Sequence, residues 1–490
     1  MVPPIRIQVL NERPVAPGGA FVLYWMTSAR RAQYNFALQR AAEYAAELKR
    51  PLLVLEALRC DYPCASDRLH RFVLEGMADN ARAFAGHAAY FPYVERARGE
   101  GKGLIRRLSE EACVVVTDTY PAFFLPQMTT AGARQSQVRL EAIDSNGLIP
   151  LGAHGREFPT ARGYRAFMQR ELKTHLAQFP AEDPLAALDG IPAATLGSDV
   201  QSRWPAADPE LLAGSASVLS HLPIDHGVAP VQSHGGSAEA RRRLRAFVDT
   251  RLSRYQDDGN HPDADATSRL SPYLHFGHLS AFEVFSAVMS HERWTTRRLT
   301  GRGGGAREGW WGVSPSAEHF LDQLVVWREL AFNGCAWSSA RGYEAVPPWA
   351  RRTLDAHLED PRAHLYSRTQ LEAAETHDRI WNAAQRQLMA EGWFHGYMRM
   401  LWGKKMLEWT EHPAEALVHM EDLMDRYSLD GRDPISYASY GWVLGRYDRP
   451  WFERPIFGTV RYMSSESASR KLRLKQWLAR YTPSSGSLFS

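Results

Sequence analysis

Between Thr376 and Met463 the chain places Trp, Met, Arg, Asn and Asp at helical spacing. The stretch runs through THDRIWNAAQRQLMAEGWFHGYMRMLWGKKMLEWT (Thr376 to Thr410), RYSLDGRDP (Arg426 to Pro434) and ERPIFGTVRYM (Glu453 to Met463). An ordinary amphipathic helix segregates apolar from charged residues, so this mixture points to a polar ligand held inside a helical core. Trp402 and Trp409 stand seven residues apart, about 10.5 Å of helical rise on one face, and Trp381 lies on the preceding helix. Seen alone, that spacing is equally the mark of core packing. A second group, TSRLSPYLHFG from Thr267 to Gly277, gathers hydroxyls and unpaired backbone N–H groups just before a helix. Such a cluster suits an anion such as a diphosphate, and it also suits a plain helix cap. The third is Glu329, in Trp327-Arg328-Glu329-Leu330, on a helix whose Leu321, Leu324, Val325 and Leu330 read as buried. Desolvation would raise its pKa and let it keep a proton to offer; a helix salt bridge is the plainer alternative.

These groups need elements to position them. The first 150 residues alternate short apolar runs with helical patterns: FVLYWM (Phe21 to Met26), a helix from Ala29 to Leu48, PLLVLEAL (Pro51 to Leu58), CVVVTDT (Cys113 to Thr119) and VRLEAID (Val138 to Asp144). That is the signature of a doubly wound parallel sheet. In the first helix Tyr34, Ala37, Leu38, Ala41, Ala45 and Leu48 share one face, Arg30, Arg31, Gln39, Arg40 and Glu43 can remain in water, and Thr27 or Ser28 supplies the cap. No G-x-G-x-x-G follows the first strand, so a Rossmann dinucleotide site is not supported there. From Ala181 to Ser237 the sequence turns rich in Pro, Ala, Gly, Ser and His, the composition of a connecting segment. Beyond Ala238 helical patterns alone recur: Ala238 to Tyr255, Ser280 to Met289, Ala317 to Asn333, His377 to Ala390, Trp393 to Trp409 and Pro413 to Tyr427. They are interrupted at Leu299 to Ser316, a loop whose Trp310 and Trp311 either form a contact surface or fold back.

Composition sets outer limits. A chain of 490 residues exceeds one ordinary core. The balance of 58 Lys+Arg against 55 Asp+Glu neither demands nor forbids nucleic acid, since a local patch matters more than the +3 sum. Cys60, Cys64, Cys113 and Cys335 are too few and scattered for a disulfide framework or a zinc or iron-sulfur quartet. With no signal-peptide pattern and no apolar run approaching the roughly 18 residues of a membrane span, a cytoplasmic protein with no metal and no membrane partner is expected.

TSRLSPYLHFG, VVWREL, WNAAQ, HGYMRMLWGKKMLEW, LDGRDP and ERPIFGTVRYM occur in the order found in the photolyase and cryptochrome flavoproteins. The chain most resembles class II cyclobutane pyrimidine dimer photolyases, and the likeness covers nearly its whole length, YWMTSARRAQYNFAL at the first strand and helix included. The resemblance implies an α/β antenna-type domain over 1–180, a linker over 181–237, and an all-α domain over 238–490 that binds FAD in a folded conformation and UV-damaged DNA. A deazaflavin or a folate could serve as antenna, and nothing in the first domain is diagnostic of either. Tyr255, Thr267, Ser268, Leu270 and Ser271 match positions around the FAD phosphates, and Arg399, Asp430 and Arg432 the region of flavin and adenosine. Glu329 matches the lesion-facing glutamate. Trp381, Trp402 and Trp409 match the indoles that relay electrons from the surface to the flavin. Met400 and Trp442 match lesion contacts, Arg461 the arginine that enters the gap left by a flipped dimer, and Arg470 to Lys475 forms a basic segment suited to phosphates.

The implied activity is light-driven dimer splitting by a monomer, and the departures bear on it. Met424 stands where class II relatives have an Asn facing flavin N5, and methionine cannot donate a hydrogen bond there. Ser464 replaces the usual Asn after R-Y-M, and Tyr447 replaces His in the shortened segment Trp442 to Asp448. A cryptochrome-like light sensor is therefore the competing expectation, favoured by Met424. Glu329, Met400, Trp442 and Arg461 favour repair, and a helical nucleic-acid binder without cofactor is the third reading.

Overall fold

Strand β2 (Phe21–Met26) is buried at every residue and sits in the interior of a six-stranded sheet. A computed structural model describes residues 1–301 and 303–483, so Arg302 of the 299–316 loop and the last seven residues of the 238–490 range lie outside the described residues. With β1 (Ile7–Val9), β3 (Leu52–Leu58), β4 (Ala89–Val94), β5 (Ala112–Asp118) and β6 (Leu140–Ile143), the order is β1-β6-β5-β2-β3-β4. Only β1 runs antiparallel to its neighbour; every other pairing is parallel, as the alternating pattern predicts. The chain divides into two compact units. The first, Met1–Gly155, Glu171–Ala246 and Arg269–Arg293, holds this sheet.

The sequence reading overlooked β1 and β4. The first is three residues long, and the second carries Pro92, which a sheet tolerates at an edge. That edge is partly covered: the Ala207 N–H donates to the Pro92 carbonyl at 2.7 Å. Stretch 181–237 contributes Leu211, Leu212, Leu219 and Leu222 to an apolar cluster with Leu58, Val73, Leu74 and Met77.

Helix α1 (Phe36–Leu48) also begins later than its pattern suggests. Asn35 caps it, accepting from the Ala37 and Leu38 N–H groups, while Thr27 and Ser28 give their N–H groups to Asp118 Oδ2 at 2.7 and 2.8 Å. Residues 27–34 are thus a loop tied to the end of β5, and Tyr34, at φ 47°, precedes the helix. Arg31 is buried instead of solvated, donating to the Gly277 and Tyr34 carbonyls. An unbroken apolar face had hidden the capping asparagine.

The second unit, Arg156–Arg170, Phe247–Ser268 and Trp294 onward, contains helices and no strand among its described residues. The pattern over Ala317 to Asn333 proves to be three consecutive segments: a helix over Pro315–Leu321, a π-helical stretch over Asp322–Trp327, and α2 (Arg328–Trp337). Then come α3 (Arg379–Glu391), α4 (Gly396–Trp409), α5 (Pro413–Tyr427) and α6 (Pro434–Val443). Trp310 and Trp311 fold back: both are buried, and both N–H groups donate to Glu318 Oε1, at 2.9 and 3.2 Å.

Candidate active site and nucleic-acid interface

Asp378 starts α3 by accepting from the Ile380 and Trp381 N–H groups, and Gly392, at φ 63°, ends it in the left-handed conformation that glycine adopts cheaply. His395 then caps α4. The turn lays the two helices together and brings their indoles into contact. Trp381 and Trp402 stack with centroids 6.2 Å apart and planes 2° from parallel, and Trp409 meets Trp381 edge-on at 5.7 Å. The order in space is therefore Trp402, Trp381, Trp409. Trp402 Nε1 donates to Gln385 Oε1 at 2.9 Å and Trp381 Nε1 to the Trp402 carbonyl at 3.0 Å, fixing both rings. Trp409 is itself buried, and Tyr366 and His377, at 5.4 and 5.2 Å, lie against it.

At the other end of the stack Phe394 touches Trp402 at 5.7 Å, and the Arg399 guanidinium lies 5.3 Å from the Phe394 ring. Arg399 Nη2 donates to both Asp430 oxygens, at 3.0 and 3.2 Å. Asp430 is presented by the loop between α5 and α6. A Cβ on Gly431 would come within 2.4 Å of the Met424 carbonyl, so only glycine lets the loop pack against the end of α5. Arg432, at φ 64°, spends its guanidinium on the Asp425, Ser428 and Leu429 carbonyls and its N–H on Asp425 Oδ1, which ties the loop shut. Asp433 caps α6. Met424 is fully buried on α5.

Two buried polar atoms here have no hydrogen-bond partner among the described residues: Arg399 Nε and Tyr440 Oη. Burial pushes the Tyr440 hydroxyl far up, Asp425 adds to the rise, and Arg399 opposes it. An orphaned cationic donor beside a buried Arg–Asp pair is what a cradle for a polar, acceptor-bearing cofactor would leave.

Glu329, on α2, is buried and accepts from Tyr164 Oη at 3.1 Å. Two residues earlier Trp327 lies 5.4 Å from Trp442 of α6. Arg461 reaches toward Trp442 at 5.9 Å and Trp451 at 4.2 Å, and pairs with Asp448. Next to Trp451, Phe452 is 90% exposed. In the basic segment Arg470 pairs with Glu466 and Arg473 with Asp258, both on the surface. Met400 is half-buried on α4, one turn before Lys404.

The phosphate-type motif is divided. Tyr255, packed edge-on against Phe320 at 5.4 Å, and half-buried Thr267 and Ser268 belong to the second unit. Buried Leu270 and Ser271, which opens the short Ser271–His275 helix, belong to the first. Sequence reasoning missed Trp327, Tyr366, Lys404, Asp448 and Trp451. The available signals were aromatic doublets with charge, V-W-R-E and R-P-W-F-E-R, and a Lys-Lys pair inside an otherwise apolar helix.

The first unit is a mostly parallel α/β fold, and the second is helical, with stacked indoles and a largely buried Arg–Asp pair. The chain is 33% identical over 477 residues to the deoxyribodipyrimidine photo-lyase of Methanothermobacter thermautotrophicus, covering 97% of each. It is 33% identical over 499 residues to that of Oryza sativa subsp. japonica, covering 97% of this chain and 90% of the other. Among solved structures it is similar in fold to a bacterial class III photolyase from Agrobacterium tumefaciens, with a TM-score of 0.66 at 18% identity over 94% of this chain and 86% of that one. No family model matches. The chain belongs to the photolyase/cryptochrome family, and within it to the deoxyribodipyrimidine photo-lyases.

Proposed function

We propose that this enzyme repairs cyclobutane pyrimidine dimers in DNA with light, using bound FAD. The observation that carries the reading is the aromatic line from the Arg399–Asp430 pair through Phe394 to Trp402, Trp381 and Trp409, with an unpartnered Arg399 Nε at its inner end. When bound, FAD would supply the light-driven electron donor that opens the dimer and recovers the electron afterwards. Tyr255, Thr267, Ser268, Leu270 and Ser271 would hold its phosphates. Arg399 would offer its free donor to the flavin, and Asp430 would keep Arg399 in place; Arg432 would hold the loop in shape. Met424 would lend N5 a soft contact only. Glu329, with Tyr164 beside it, would present a proton to a pyrimidine carbonyl.

Met400 and Trp442 would lie against the flipped dimer, Arg461 would enter the gap, and Arg470 to Lys475 would meet phosphates. The α/β unit would serve as the antenna domain, for a deazaflavin or a folate. The four cysteines form no disulfide with one another among the described residues, and a cytoplasmic location goes with the proposed activity. The test is to illuminate the reduced, flavin-loaded protein with dimer-containing DNA and follow dimer loss. Turnover is expected, and none at full flavin occupancy would sink repair. Met424 supports a second reading, a flavin light sensor derived from this scaffold, which would keep light-driven reduction and show no dimer loss.

A further inference from the structure

Arg461 is held. Its Nε donates to Asp448 Oδ2 at 2.8 Å and its Nη2 to Oδ1 at 3.2 Å, while its guanidinium lies 4.2 Å from the Trp451 ring. Asp448 is the more buried partner, its side chain 8% exposed against 38% for Arg461. It also accepts from the Arg449 N–H at 2.9 Å and from Trp451 Nε1 at 3.4 Å, so the carboxylate fastens both the arginine and the indole that the arginine rests on. Burial pushes the Asp448 carboxyl up, and the Arg461 and Arg449 hydrogen bonds more than offset this, leaving it below its ordinary range.

We propose that Asp448 is a latch that parks Arg461 against Trp451 in the free protein and yields it when DNA draws Arg461 away. The inference rests on the reading of Arg461 as the gap-entering residue. A carboxylate this buried is destabilised once its guanidinium leaves, so release of Arg461 needs a compensating gain on the DNA. The latch acts on specificity: a phosphate at the surface competes poorly with a two-pronged carboxylate, whereas the gap opposite an extruded dimer rewards full insertion. Asp448 is therefore a positioning residue that withholds Arg461 from undamaged duplex.

Binding of the full-length protein to undamaged and dimer-containing duplexes, across a salt series, tests this. Asp448→Asn is expected to tighten undamaged duplex roughly tenfold and steepen the log–log salt slope by about 0.9, one released counterion. Its preference for dimer falls accordingly, and adding Arg461→Ala should erase both changes. Arg461→Ala alone supplies an arm independent of how Asp448→Asn folds: it should weaken binding of dimer-containing DNA and leave affinity and salt slope on undamaged duplex unchanged. A wild-type chain that prefers dimer, alongside an Asp448→Asn protein with unchanged affinity, slope and preference, overturns the latch. An Arg461→Ala protein that loses affinity for undamaged duplex as strongly as for dimer-containing DNA overturns it as well. A wild-type chain with no preference for dimer removes the gap-entry reading and the latch with it.

Discussion

Asp430→Asn probes the clamp from inside. The Arg399 side chain is 11% exposed and that of Asp430 is 2%, so the pair sits almost wholly out of water. Arg399 Nη2 gives its hydrogen bonds to the two carboxylate oxygens, and Arg399 Nε already lacks an acceptor among the described residues. Asparagine keeps the size of the side chain and an oxygen for the Ser428 hydroxyl, but it removes the negative charge and leaves the guanidinium buried and uncompensated. Breaking a buried pair from one side costs about 3 kcal/mol, a factor of roughly 150 in the folding equilibrium. For a unit of this size that is a fall in melting temperature on the order of 8 °C. Thermal melts of the protein freed of flavin measure it. The double variant Arg399→Met/Asp430→Leu should recover most of the loss, because apolar groups of similar volume replace a buried pair at little cost, while still failing to retain flavin on a desalting column. An Asp430→Asn protein that melts within about 1 °C of wild type would show that Arg399 does not depend on Asp430, and the reasoning would fail.

Three further outcomes are expected. Trp381→Phe should abolish light-driven reduction of oxidised bound flavin, followed by its visible spectrum, while chemically reduced protein still repairs dimers. The Glu421 carboxyl is pushed up to about 7, by burial first and then by Asp425 one turn away. Between its ordinary value of 4.5 and about 7 the unfolded chain gives up a proton that the folded chain keeps, so stability falls as pH rises through that window. Glu421→Gln should therefore match wild type in melts at pH 4 and exceed it at pH 8; the opposite ordering would refute the burial argument. Met424→Asn should shift the reduction potential of bound flavin in a reductive titration, and an unchanged potential would remove Met424 from the neighbourhood of N5.

The long amphipathic and apolar patterns were legible because each carries its own periodicity: α5 runs over Pro413–Tyr427 as the sequence predicts, and β2 over Phe21–Met26. Elements whose stability comes from partners were not. Edge strand β4 contains a proline, and the true start of α1 is set by Asn35 and by Asp118, which lies over 80 residues away. At the site, spacing placed Trp402 and Trp409 on one helix, but it could not show that Trp381 stands between them in space. Nor could it show that Arg432 turns back on its own loop or that Asp448 holds Arg461. Those are contacts between segments, and single-segment periodicity carries no information about them.

Both inner indoles give their N–H to an uncharged carbonyl oxygen, Trp402 to Gln385 and Trp381 to the Trp402 backbone. Neither oxygen is basic enough to keep that proton. Under the proposed electron relay, a vacancy on either ring would therefore remain a cation, with no base hydrogen-bonded to its N–H to take the proton. Beyond Trp381, Trp409 meets Tyr366 and His377, groups that can accept or release a proton. Direction along the stack would then be governed by where acid–base chemistry becomes possible, at its outer end.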